Sequence, residues 1–411
     1  MVKKPFRMLA LFDYNSFTGF ATVSKNLVSN WKRIFGESMY LDIVAVNYFG
    51  EPYQEGNNIR VISGKKSDVG KDDFGRHVFL RSVMDNDYDM LFILQDLGVV
   101  VPMIPYLKNH LEDKKKANKK QFKSILYFPV DFALTPNLGV GIEFFDSLIT
   151  YTEYGREQVL RLRPELIGKV KVIPHGNNMA NFFPLEQSEV AAFRKEYFGV
   201  NADKFIVASV NRNQSRKDIP TTIFGFLEYW MEHNKNAFLY LHMNPKDPMG
   251  WHLRTILAQT PLVEGQDFMF PPKDDYNKGA DISKLNKIYN SVDVFLSTAT
   301  GEGWGLTITE AMACQKPVIA PNHTSIQEIC ANGQRAYMLE TMYPVVAMVD
   351  NIIRFQSDIY EIAETLVTVK EDMDNSSPAL KSKKEKAFQF VKSLDWKEIS
   401  KTFAEEIKRL V

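Results

Sequence analysis

The sequence predicts an α/β protein of two doubly wound domains, each a parallel sheet with helices on both faces. Three observations carry that expectation. Short apolar runs alternate with longer amphipathic stretches along most of the chain, the pattern of repeated strand–helix units. The alternation occurs twice. Between the two series lies PHGNNMANFFPLEQ (residues 174–187), rich in Asn, Pro and Gly, which reads as a linker.

In the first series the strand candidates are Met8–Phe12, Ile43–Asn47, Met90–Leu94, Ser124–Phe128, Ser147–Thr150 and Val170–Ile173. Helical patterns such as Ala21–Phe35 and Gly155–Leu162 lie between them. In the second series the strands are Phe205–Val210, Ala237–Leu241, Phe268–Phe270, Val294–Ser297 and Val318–Ala320. Helices are expected at Thr221–Glu232, Ile282–Asn290 and Leu306–Ala313, and the tail SLDWKEISKTFAEEIKRLV is amphipathic. The expected domains are 1–180 and 185–385, with a closing helix at about 390–411 returning to the first. In such sheets ligands sit at the carboxyl ends of strands, so a cleft between the domains is the expected site.

Composition bounds the function. The chain has 411 residues, 45% hydrophobic and 24% charged, enough for two cores. Lys+Arg and Asp+Glu are 50 each, so no global charge draws the chain to nucleic acid or an anionic membrane. Two cysteines, Cys314 and Cys330, make no disulfide framework, and a reducing, cytoplasmic setting is expected. The opening MVKKPFRMLALFDY breaks its apolar run at Asp13, too early for a signal segment. No stretch approaches the ~18 apolar residues of a membrane span.

The chemistry concentrates in SVDVFLSTATGEGWGLTITEAMACQKPVIAP. A buried strand ends in a glycine-rich turn, and a helix begins at Gly305 or Leu306. The first amides of a helix lack intrahelical partners and favour anions and hydroxyl oxygens. Gly303 and Gly305 allow close backbone approach. Glu302 precedes the helix and Glu310 stands on its second turn, where helical side chains lean back toward the amino end. Carboxylates accept pairs of hydroxyls, as a sugar presents them.

GEGWGLTITEAMACQKPVIAP resembles the E-x7-E segment of retaining GT-B glycosyltransferases of the family 4 (group 1) type. VASVNRNQSRKDIPTTIFGF resembles the family's strand with an Arg-x4-Lys loop, here Arg212 and Lys217. VIPHGNNMANFFP, DSLITYTEYGREQVLR and FVKSLDWKEISKTF resemble its interdomain segment, the element before it and its closing Trp-containing helix. The resemblance implies a GT-B fold and transfer of a sugar from a nucleoside diphosphate donor, UDP or GDP type, to an acceptor hydroxyl. It implies Arg212 and Lys217 on the diphosphate, Glu310 on the ribose, and Glu302 with Gly303, Trp304, Gly305, Leu306 and Thr307 on the donor. The base is expected near Pro271–Lys273. No cofactor and no metal are expected. The acceptor is expected to be a glycan first, with a lipid, a protein or a modified DNA base as alternatives.

In the first domain, LALFDYNSFTGFATVSKNL has one glycine, Gly19, where the family commonly has a pair. Gly19 is the candidate for backbone contact with phosphate or sugar. ILYFPVDFALTP lacks the histidine the family often has there, and Asp131 is the nearest polar side chain, lining the cleft or capping a turn. Asp85, Asp87 and Asp89 precede a strand and read as a solvated turn, and the run Lys114–Lys123 reads as a solvated helix end. His175 and His242 read as structural. The rival readings are a nucleotide-sugar epimerase of the same fold and an inactive nucleotide-sugar binding protein. An oxidoreductase is disfavoured because no G-x-G-x-x-G follows the first strand.

Overall fold

The computed structural model describes residues 5–16, 18–64, 74–277, 279, 281–347 and 351–411. The chain forms two compact units, Met1–Gly176 with Trp396–Val411, and Asn177–Asp395.

Among the described residues, unit 1 holds an eight-stranded sheet. Its strands are β1 (Phe6–Asp13), β2 (Met39–Val46), β3 (Tyr53–Gln54), β4 (Ile59–Ser63), β5 (Met90–Leu94), β6 (Lys123–Phe128), β7 (Ser147–Thr150) and β8 (Val170–Val172). The order is β3-β4-β2-β1-β5-β6-β7-β8, parallel except for the β3–β4 pair. Runs such as MLFIL in β5 are buried along their whole length, as strands covered on both faces must be. The helix Gly19–Phe35 opens at Thr18, whose Oγ1 accepts the Ala21 amide at 3.2 Å. It buries Val23, Leu27, Val28 and Trp31. The closing helix starts at Trp396 and runs to Leu410. Its Phe403 ring stands 5.8 Å from Phe92 and 4.8 Å from Tyr127, edge to face, and burying such a ring contributes about 2–3 kcal/mol. The preceding helix, Pro378–Ser393, belongs to unit 2.

The acidic and basic runs of unit 1 lie largely at the surface, as the sequence reading has them, with Lys114 the buried exception. They are each other's counter-charges: Lys114, its side chain buried, pairs with Asp87, and Lys120 pairs with Asp89. Asp89 also accepts the Arg7 amide at 2.8 Å. His175 is buried with its Nδ1 2.6 Å from the Tyr127 hydroxyl, and burial lowers its imidazole to about 3.

Among the described residues, unit 2 carries a six-stranded parallel sheet of β9 (Phe205–Val210), β10 (Ala237–His242), β11 (Phe268–Met269), β12 (Val294–Leu296), β13 (Val318–Pro321) and β14 (Tyr337–Leu339). The order is β11-β10-β9-β12-β13-β14. From β9 the chain builds outward through β10 and β11, then returns to β9's other side with β12. That reversal is a topological switch point, where loops at the strands' carboxyl ends diverge and leave room for a ligand. The helices Ile219–Glu232 and Ile359–Asp374 pack closely at Gly225, whose absent Cβ would lie 2.6 Å from Ile362 Cγ2. An antiparallel hairpin, β15 (Met342–Val346) with β16 (Ile353–Ser357), lies between β14 and the second of those helices. The sequence reading had no element there.

Candidate active site

The site is built on the loops that follow β9 and β12, the two strands flanking the switch point. After β9, Asn213 is fully buried. Its Nδ2 donates to the carbonyls of Asn244 (3.2 Å) and Trp251 (2.7 Å), and its Oδ1 accepts the Trp251 amide. Gly250 makes this possible, since a Cβ there would meet the Asn213 carbonyl oxygen at 2.1 Å. The loop then tightens into a 3-10 turn, Ser215–Lys217, and enters the next helix through Asp218 at φ +45°.

After β12 the chain runs through Ser297–Gly303 into the helix Leu306–Ala313, with Gly305 at φ +95° before it. That backbone is open to glycine and strained for a bulkier residue. No side chain caps the helix at Gly305. Trp304 is buried, and Leu306 and Thr307 are half-buried at the first turn.

The two loops are laced together. The Thr300 amide donates to the Arg216 carbonyl at 2.7 Å, and Thr298 Oγ1 donates to the Asp218 carbonyl at 2.9 Å. Glu302 is the knot. Its carboxylate takes Lys217 Nζ on one oxygen and Arg216 on the other at 2.8 Å. Its amide donates to Thr324 Oγ1 at 3.2 Å, and its carbonyl accepts Ser325 Oγ at 2.5 Å. Thr324 has φ +51°, a strained backbone for a β-branched residue, and that strain sits against the Glu302 loop. Burial alone would push the Glu302 carboxyl up. The Arg216 and Lys217 charges overcome it and hold the group at about 2.

Glu310 has the opposite environment. Its Oε2 accepts the hydroxyl of buried Tyr289 at 2.7 Å. Burial raises its carboxyl to about 7, against the pull of Tyr289 and the more distant Lys217.

The structure therefore brings Lys217, Glu302, Gly303, Trp304, Gly305, Leu306, Thr307 and Glu310 to one end of the unit 2 sheet. It modifies the sequence reading in two respects. Lys217 and Glu302, assigned to different parts of a donor, are bonded to each other, and Arg216, which that reading passed over, completes the cluster. Arg212 has a different partner: its half-exposed guanidinium grips Asp247 through two bonds of 2.8 and 3.3 Å. Asp247 was equally missed, since only folding brings it to Arg212, 35 positions away. In unit 1, Gly19 is the exposed first residue of its helix, and Asp131 is half-buried in the loop after β6. Among the described residues, no three His, Cys, Asp or Glu side chains assemble a metal site. No helix among them is long and apolar enough to cross a membrane.

The comparisons with known proteins fit this geometry. The family described as "Glycosyl transferases group 1" matches residues 278–358, which hold β12, the glycine turn and both glutamates. A probable sucrose-phosphate synthase of Thermosipho melanesiensis is 24% identical over 212 residues, 49% of this chain and 45% of that protein. The chain thus matches less than half the length of that curated relative. The solved sucrose-phosphate synthase of Thermosynechococcus elongatus superposes with a TM-score of 0.72 at 15% identity, covering 99% of both chains. The Anabaena protein HepE, solved in complex with UDP-glucose, gives 0.66 at 14% identity, covering 98% of this chain and 100% of that one. With the switch-point loops and the E-x7-E turn in place, these matches give the chain the GT-B fold and a likeness to the group 1 glycosyltransferases over residues 278–358.

Proposed function

We propose that the protein is a retaining glycosyltransferase that moves a hexose from a nucleoside diphosphate sugar to an acceptor hydroxyl. The observation that carries this reading is the Arg216–Lys217–Glu302 cluster at the β9/β12 switch point, beside the uncapped start of the Leu306–Ala313 helix. Lys217 of that cluster, Arg212 on the same β9 loop and the helix amides suit a diphosphate whose charge grows as it leaves. The UDP-glucose complex of HepE favours a uridine nucleotide and a glucose donor for this chain as well.

In the proposed reaction the bond from the sugar's anomeric carbon to the diphosphate oxygen breaks. The acceptor oxygen bonds to that carbon on the same face, and its proton passes to the departing diphosphate. Lys217 and Arg212 hold the diphosphate, Glu302 and the amides from Gly303 to Leu306 orient the sugar, and Glu310 accepts the ribose hydroxyls. Gly19 and Asp131 are proposed to meet phosphate, sugar or acceptor from unit 1. Catalysis rests on positioning and charge, with no protein nucleophile and no metal.

A thermal-shift screen of nucleotide sugars tests the donor, since a ligand bound only by the folded state raises the melting point. UDP-glucose should stabilise the protein. The anomeric configuration of the transferred sugar, read by NMR, should match the donor's, and an inverted product refutes retention. Lys217→Ala should lower turnover about 10²–10³-fold. Arg212→Ala should cost less, because its guanidinium is half-exposed where Lys217 is buried. Full transfer by the Lys217 variant would sink the assignment, as would loss of transfer in EDTA for the metal-free part. Turnover of the donor's sugar without any acceptor would favour the epimerase reading.

A further inference from the structure

We propose that the β15–β16 hairpin is a strut for the cation loop, and that Gln356 is a positioning residue that fixes Lys217 by pinning Asp218. The proposal rests on the reading that Lys217 meets the donor diphosphate.

Asp218 directly follows Lys217 and stands at φ +45°, ψ +52°, the left-handed region that few non-glycine residues occupy without support. It is buried, with 5% of its surface exposed. Burial pushes its carboxyl up, and hydrogen bonds from Thr221 and Gln356 pull it back. Oδ2 accepts both, from Thr221 Oγ1 at 2.7 Å and from Gln356 Nε2 at 3.0 Å. Gln356 Nε2 also lies 2.9 Å from Thr221 Oγ1, closing a three-membered polar ring. Thr221 is local to the turn. Gln356 arrives from 138 positions away, so it is the member that ties the turn to a separate element.

The hairpin's register explains why it can do this. Residues two apart on a strand share a face, so Arg354 and Gln356 point the same way. Both are turned inward: Arg354 is buried, and its charge reaches His323, next to the Thr324 that holds the Glu302 amide. The opposite face, with Val346, Ile353 and Phe355, is exposed. One side of the hairpin therefore touches the β9 loop through Gln356 and approaches the β13 loop through Arg354. The geometry holds the αL turn in place from outside, and through it the direction in which Lys217 leaves the backbone.

The test uses the whole chain. Gln356→Met keeps the side chain's size and removes its donor. The amides of Lys217, Asp218 and Thr221 report on the turn, since each donates within it. In the absence of any nucleotide, hydrogen–deuterium exchange of peptides spanning 211–222 should accelerate about tenfold in the variant, with exchange across the β10 and β13 strands unchanged. The Kd for UDP by calorimetry should rise about tenfold, the scale of a lost hydrogen bond to a charged group. Adding Asp218→Gly to Gln356→Met should recover most of both effects, because glycine takes φ +45° without strain and leaves no carboxylate to satisfy. A merely structural glutamine would lower the melting temperature and would not be rescued by glycine. Unchanged exchange in Gln356→Met overturns the strut, whatever the nucleotide does. If wild-type protein binds no UDP while exchange responds as expected, the strut stands and the donor assignment falls. If wild type binds UDP and the variant's Kd stays within twofold, the positioning role falls and the donor assignment stands.

Discussion

Replacing Glu302 by Gln tests whether the two cations hold this loop through its charge. The carboxyl ordinarily titrates near 4.5, and in the folded protein it is held at about 2. At about 1.4 kcal/mol per pKa unit, that shift corresponds to roughly 3 kcal/mol of stability. The folded-state value lies below the unfolded one, so the contribution is present above pH 4.5 and drains away as pH falls toward 2. Glutamine keeps the shape and an acceptor oxygen but leaves Arg216 and Lys217 uncompensated. At pH 7 the variant should therefore be about 3–5 kcal/mol less stable than wild type, the cost of breaking a buried pair. The decisive measurement is the pH dependence. Urea titrations followed by tryptophan emission should show the gap between the two proteins closing by roughly 3 kcal/mol from pH 5 to pH 2. Parallel curves across that range would refute the claim that Glu302 is ionised and paired. A variant as stable as wild type at pH 7 would refute the cluster's structural weight.

Glu310 titrates the other way. Its folded-state value, about 7, lies above the ordinary 4.5, so its contribution is complete below 4.5 and lost as pH rises through 7. Ribose hydroxyls donate best to the carboxylate, so UDP binding at pH 6.5 should release a proton, seen as a buffer-dependent heat in calorimetry. Tyr289→Phe removes the donor at 2.7 Å and should weaken UDP binding about three- to tenfold at pH 7, with recovery near pH 8.5. A Kd independent of pH and of Tyr289 would remove Glu310 from the nucleotide site. Gly225→Ala should destabilise unit 2 by about 1–3 kcal/mol through its contact with Ile362. Pairing it with Ile362→Ala, which removes Cγ2 and Cδ1, should cost less in thermal melts than the sum of the two single changes.

Much of the fold was legible because both sheets are parallel and covered. β5 is an unbroken apolar run, and β7 (SLIT) and β9 (FIVASV) are short, mostly apolar and buried along their whole length. The Leu306–Ala313 helix was legible because Gly303 and Gly305 fix its start. The hairpin was not. β15 reads MYPVV, with a proline inside it, and both strands leave large apolar groups exposed. The inward face of β16 carries Arg354 and Gln356 and its outward face Ile353 and Phe355, so its alternation runs opposite to the apolar-in pattern that marks a strand. The final helix was legible in kind, yet its start at Trp396 depends on contacts such as Phe403 with Tyr127, made with residues far earlier in the chain.

The E-x7-E spacing shows where a limit of sequence reasoning lies. It placed two carboxylates at the start of one helix correctly, and it carried no information on their charge. Glu302 meets Arg216 and Lys217 from 86 and 85 positions away and stays ionised; Glu310 meets a tyrosine hydroxyl and titrates near neutrality. Opposed shifts of this kind often mark a general acid and its base. Here the partners argue for a different division of labour. A carboxylate locked between two cations is a poor proton acceptor, which suits Glu302 to holding and not to acid–base work. A carboxyl balanced near pH 7 can give up its proton cheaply when hydroxyls arrive to satisfy the anion, which suits Glu310 to recognising a ribose. The same burial underlies both. What separates them is the β9 loop, which delivers its cations to one glutamate's carboxylate and reaches the other only from a distance.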